Sequence, residues 1–134
     1  VRIVIETVNH SKQRYCTCGD YWIDKKGTIQ IRISKMDWKL QWLVIVHELV
    51  EIFLCLLRGI EFGDIDKYDI KFESDRNNGE RGETDEPGDG IDSPYRDEHC
   101  ISVGFERVLC GIAMIPWRIY ENVVNNLVYR PEKK

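Results

Sequence analysis

Trp38-Lys-Leu-Gln-Trp-Leu-Val-Ile-Val-His47-Glu48-Leu-Val-Glu51-Ile-Phe-Leu-Cys-Leu-Leu-Arg58, with Gly59 behind it, is the stretch on which the reading of this chain turns. Ser34 to Asp37 offers capping side chains before it, and Gly59 stands where a helix C-terminus favours the left-handed conformation. The segment therefore reads as one long helix. From Trp42 to Leu57 it is apolar on nearly every side, which predicts a buried core helix. A membrane span is not expected, because the run is short and His47, Glu48 and Glu51 interrupt it.

At about 100° per residue, with His47 at zero, Glu51 falls near 40° and Glu48 near 100°. Three ionisable side chains thus share one patch of a helix read as buried. Burying two carboxylates beside an imidazole is costly unless a cation or a set of hydrogen bonds compensates, and a divalent metal does so most directly. Residues i and i+4 on adjacent turns can grip one ion, while i+1 points beside it toward water. His47 and Glu51 are accordingly candidate ligands and Glu48 a candidate general base. The competing reading is a buried ion-pair network in which Glu48 and Glu51 meet Arg58 or Arg107.

Two protein ligands rarely hold a catalytic metal, so a third is sought downstream. Ser93-Pro94 starts a second helix, striped by Ile101, Phe105, Val108 and Ile112, with His99 and Glu106 on the opposite face. The stripe is expected to pack on the sheet or on the following helix, and the other face to meet the first helix. His99 is the expected third ligand, giving a His47, Glu51, His99 set. Glu106 is either a fourth ligand or the acceptor that orients a ligating histidine. The alternative for His99 is a partly exposed first-turn histidine. Glu98 and Asp92 are reserve candidates, and Tyr95 and Arg96 read as ordinary helix-start residues. Pro116 opens a third helix, carried by Trp117, Tyr120, Val124, Leu127 and Val128 as far as Tyr129, and Arg130 to Lys134 forms a loose tail.

Upstream, Arg2 to Val8 is β-rich, and Ile29, Ile31 and Ile33 alternate with polar residues in a strand over 28–34. Asp24 to Gly27 supplies a hairpin turn after Tyr21-Trp22-Ile23. The expected fold class is α+β: a small, mostly antiparallel N-terminal sheet followed by three helices, in a single domain over 1–134. Residues 73–92, acidic and without periodicity, are expected to form a loop or flap. His10 reads as a surface turn residue.

The chain has 134 residues, 43% of them hydrophobic and 31% charged, with net charge −4. That suits a soluble domain and argues against nucleic acid or acidic lipid as partner. An odd count of five cysteines, three of them in apolar helical patterns, favours reduced thiols and a cytoplasmic location. Cys16 and Cys18 are too close for a zinc half-site and read as strand residues sharing a face. No secretory leader is expected from the opening Val-Arg-Ile-Val-Ile.

A sheet leading into a helix with His47-Glu48-x-x-Glu51, followed by a helix offering a ligand, resembles the core of the zincin-like metallopeptidases. The run His47-Glu48-Leu49-Val50-Glu51, then Glu86-Pro87-Gly88-Asp89, Pro94-Tyr95, Glu98-His99 and Glu106-Arg107, also resembles small proteins of phages and prophages. The resemblance implies zinc, or another divalent metal, on His47, Glu51 and His99. It implies Glu48 as general base on a metal-activated water, and a peptide substrate paired along strand 28–34 as an edge strand. Glu51 stands where those enzymes carry a second histidine. Two further readings compete with a hydrolase: a non-catalytic phage-type binding or assembly protein with a structural metal, and an iron enzyme using two histidines and a carboxylate.

Overall fold

The computed structural model describes residues 1–128. Three strands, β1 (Ile3–Val8), β2 (Gly19–Ile23) and β3 (Ile29–Ser34), precede four helices, α1 (Trp38–Arg58), α2 (Phe62–Asn77), α3 (Arg96–Ile112) and α4 (Trp117–Val128). The class is α+β. The sheet order is β1-β3-β2, with β1 parallel and β2 antiparallel to β3. The sheet is therefore mixed rather than mostly antiparallel. Only the β2–β3 hairpin is locally encoded: Gly27 takes φ 79°, and the Asp24 carboxylate accepts from the Lys26 and Thr28 amides.

The order also corrects the edge-strand expectation. β3 lies between β1 and β2, so the 28–34 strand has no free edge for a peptide. Nor is the outer edge of β2 open, because Thr17 Oγ1 donates to the Gly19 carbonyl at 2.8 Å and Arg14 to the Tyr21 carbonyl at 3.4 Å. Arg14 also bridges Asp20 at 2.6 Å and Asp66 at 3.0 Å, tying β2 to α2.

Ile29, Ile31 and Ile33 project from β3 into a core shared with Leu43, Val44, Ile52 and Cys55 of α1. Asp37 caps α1 through the Lys39 amide, and Gly59 ends it at φ 69°, as the sequence indicated. The helix is buried on one side only. Trp38, Trp42, Phe53, Leu56 and Leu57 are exposed. Among the described residues α1 is the one helix long and apolar enough to cross a membrane, yet half of its most apolar window is buried and His47, Glu48 and Glu51 face inward.

A fourth helix, α2, was not expected. Phe62, Ile65, Asp69, Phe72, Glu73 and Arg76 line its buried side at helical spacing, but half of these are polar, so the apolar stripe is weak. The 73–92 segment accordingly begins as the last turn of α2 and contains a short 3-10 turn, Pro87–Asp89. The apolar stripe of α3 is a further correction: Ile101, Phe105, Val108 and Ile112 face outward instead of packing on the sheet or on α4. α3 begins at Arg96, with Ser93 and Pro94 in the preceding turn, and its inward face packs along α1. The five cysteines are free thiols, and Cys16 and Cys18 precede β2, their thiols reaching the Val128 and Val124 carbonyls of α4. The expected tail, Arg130 to Lys134, and Tyr129, expected to end the last helix, lie outside the described residues.

Candidate metal centre

The i, i+4 spacing on α1 brings His47 Nε2 within 3.0 Å of Glu51 Oε2. α3 packs alongside and directs His99 at the same point, its Nδ1 lying 3.2 Å from His47 Nε2 and 3.1 Å from Glu51 Oε2. All three residues are buried, and they form a group that can hold a metal ion. Donors sharing a tetrahedral zinc ion at about 2.0–2.2 Å stand roughly 3.2–3.5 Å apart. The observed triangle is slightly tighter than that and needs only a small expansion to accept an ion.

Proton bookkeeping around the triangle supports the fit. The far nitrogen of each imidazole faces a carboxylate: His47 Nδ1 meets Glu106, and His99 Nε2 meets Glu86 at 3.0 Å. Carboxylates only accept, so in the tautomer that donates to Glu106 and Glu86 each neutral ring turns its N–H outward and its lone pair into the triangle. Neutral rings thus leave three lone pairs facing one another. Doubly protonated rings set two N–H donors 3.2 Å apart, both directed at the same Glu51 oxygen. A divalent cation in place of the two inner protons relieves both conflicts without changing the charge of the cluster.

The titration behaviour has the same origin. Burial presses the His47 imidazole down, but hydrogen bonds to Glu106 and Glu51 outweigh it and raise its pKa well above normal. His99, equally desolvated, is raised to about 10 by Glu51 and Glu86. Burial pushes Glu51 up, and the two histidines more than reverse this, holding it at about 2. The other Glu51 oxygen accepts from Tyr21 Oη at 2.8 Å, which fixes the carboxylate. The Tyr120 hydroxyl also lies close to Glu106, whose charge helps hold the phenol's pKa well above normal after burial.

Glu48 stands apart from the triangle. Among the described residues it has no hydrogen-bond partner; burial, and then the Glu51 charge, hold its pKa well above the usual range. Its carboxylate rests against the β2 backbone at Gly19, where a Cβ would come within 2.4 Å of Glu48 Oε1. A cavity of about 540 Å³ opens onto Glu48, His47, Glu51 and His99. Opposite, the Asp69 carboxylate accepts from Tyr95 at 2.7 Å and Tyr15 at 2.8 Å; burial lifts it to about 7 against those two bonds.

Among the remaining sequence candidates, Glu106 takes the orienting role at His47. Glu98 pairs with Arg58 and Asp92 accepts from Tyr68 at 2.7 Å, so neither joins the cluster. Arg107 stacks over Trp117 at 4.4 Å. Neither arginine therefore meets Glu48 or Glu51, and the expected alternative pairing is not formed. Tyr95 is buried with its ring edge-on to His99, more than a helix-start residue. His10 is half-buried and lies within 2.9 Å of Ser34 Oγ, away from the cluster.

Sequence reasoning gave no role to Glu86 or Asp89, which with His99 form a second group able to hold a cation. The Pro87–Asp89 turn is pressed onto His99: a Cβ at Gly88 would lie 2.3 Å from the ring. Pro-Gly between two acids was the visible signal, but nothing local pointed it toward α3. Compared with family models, curated proteins and solved structures, the chain matches none.

Proposed function

We propose that this chain is a zincin-like, metal-dependent hydrolase acting on a peptide or protein substrate, with His47, Glu51 and His99 as zinc ligands and Glu48 as general base. The observation that carries the reading is the convergence of two imidazole nitrogens and one carboxylate oxygen, each steadied from behind by Glu106, Glu86 or Tyr21. Bound there, the ion would polarise a substrate carbonyl and acidify water. Glu48, one residue from His47 and facing the cavity, would take a proton from water and return it to the leaving group once the charge of a bound cation has drawn its raised pKa down. With both the β3 and β2 edges occupied, the substrate enters the cavity as a bent segment rather than as an added strand. The zincin-like kinship and the phage-type relationship rest on the motif residues named above, and a cytoplasmic site on the free thiols.

One observation favours a second reading, a binding protein with a structural or degenerate site. Every imidazole nitrogen in the cluster already faces a carboxylate, so two protonated rings can pair with Glu51, Glu86 and Glu106 through protons alone. Metal analysis by plasma mass spectrometry after stripping and zinc loading, followed by a peptidase screen, separates the two. The hydrolase reading expects one zinc per chain, and a Glu48→Gln variant that keeps the zinc and loses at least about 100-fold in turnover. A loaded protein with no turnover, or turnover indifferent to Glu48→Gln, leaves the structural reading; no bound metal sinks the hydrolase and leaves a proton-held network in a binding protein.

A further inference from the structure

The outer side of the α1–α3 pair carries a second feature, independent of the metal cluster. On α1, Trp38, Trp42, Phe53 and Leu56 fall within about 60° of one another and are 52% to 64% exposed. On α3, Ile101, Phe105, Val108 and Ile112 span a similar arc and are 38% to 73% exposed. The inward faces of both helices turn toward the cavity, and the helices pack along each other. Both apolar stripes therefore lie on sides of the helix pair turned away from the site.

Aromatic side chains offer about 150–250 Å² each, and the eight residues together present on the order of 1,000 Å². A typical monomer's largest apolar patch is about 300–600 Å², and a stable interface buries about 800 Å² per partner. The patch is thus larger than a monomer usually exposes and large enough for one complete interface. Between Lys39 and Arg58 the ionisable residues of α1 are His47, Glu48 and Glu51, all turned inward; between His99 and the end of α3 they are Glu106, bound to His47, and Arg107, stacked on Trp117. Charges stand at its borders, Lys39 over the Trp38 ring at 5.7 Å and Arg58, Asp97 and Glu98 beside Ile101, and both signs are present to pair between two copies, whereas a net charge of −4 opposes docking on anionic lipid.

We infer that this face is the interface of a homodimer, in which the α1–α3 pairs of two copies pack across a two-fold axis as a four-helix layer. Sedimentation velocity from 1 to 100 µM tests it. The wild-type chain is expected at twice the monomer mass, and Trp42→Asp and Phe105→Asp each to weaken association at least 100-fold. Both variants should keep the wild-type circular dichroism spectrum and metal content. Ile70→Asp, at an exposed position on α2, should leave the dimer intact. A wild-type monomer at 100 µM overturns the proposal, as does a dimer that survives both substitutions. Monomeric wild type that co-sediments with phosphatidylcholine vesicles, and loses this in the same variants, would overturn it in favour of lipid.

Discussion

The two faces of the α1–α3 pair invert the usual arrangement. The face turned inward carries His47, Glu48, Glu51, His99 and Glu106, and the face turned outward carries Trp38, Trp42, Phe105 and Ile112. Helical periodicity shows which residues share a face, but not which face the rest of the chain covers. Here the polar face is buried because His47, Glu51, His99 and Glu106 satisfy one another in a network that leaves Glu48 to the cavity. The apolar face is open because, among the described residues, no element lies over it.

The inner face can be tested by how strongly each group holds a metal. The largest effect is expected from His47→Ala or His99→Ala: each removes one of three donors and should cut bound zinc from about one per chain to below a tenth, read by plasma mass spectrometry on protein shown to be folded. If either variant keeps its zinc, the triangle is not the binding site. Next come the orienting carboxylates. Glu106→Gln should weaken metal affinity about 10–100-fold. Glu86→Gln should cost less, because the Glu86 side chain is 45% exposed against 8% for Glu106. Competition with a chromophoric chelator ranks the two, and equal effects would erase the distinction between the helix-borne and turn-borne supports.

Gly88→Ala forces a methyl group toward the His99 ring and should destabilise the fold by about 1–3 kcal/mol in urea titrations. Unchanged stability would show that the turn lifts off freely.

The pH dependence of the metal-stripped protein follows from two opposite shifts. His99 is raised from 6.5 to about 10, so its contribution to stability is full below about pH 6.5 and is lost as the pH rises through 10. Glu51 is lowered from 4.5 to about 2, so its contribution is present above about pH 4.5 and is lost as the pH falls through 2. Thermal melting in chelator should therefore be highest between about pH 4.5 and 6.5 as far as these two groups decide it. Zinc loading at pH 7 should release about two protons, measured by calorimetry in buffers of different ionisation enthalpy. The smallest effect is expected from Tyr21→Phe, which removes one hydrogen bond to Glu51 and should cost about 1 kcal/mol of stability.

Much of the inner face was legible because α1 states its own geometry. Asp37 and Gly59 mark its ends, and the i, i+1, i+4 spacing of His47, Glu48 and Glu51 fixes their common side. Glu106 was found by the same argument from His99. The groups that remained hidden approach through space. Tyr21 reaches Glu51 from a strand, Tyr120 reaches Glu106 from α4, and Glu86 reaches His99 from a turn, none at a spacing that periodicity can register. α2 escaped notice because its buried side is built from Asp69, Glu73 and Arg76 as much as from Phe62, Ile65 and Phe72. The outward stripe of α3 misled for the complementary reason, since an apolar stripe specifies a need for cover and not its source.

The parallel pairing of β1 with β3 has a consequence for how the chain folds. Ile29 meets Ile23 across the five residues Asp24 to Thr28 but meets Ile3 only after the whole β2 segment has been looped out between them. The hairpin can close on a microsecond timescale, while β1 must wait for a loop closure of much higher contact order. β1 is then the last strand to zip and the first to open. Its amides on the β3 side should exchange with solvent hydrogen well before those joining β2 to β3, so the N-terminal strand can fray while the helix pair and its buried cluster stay closed.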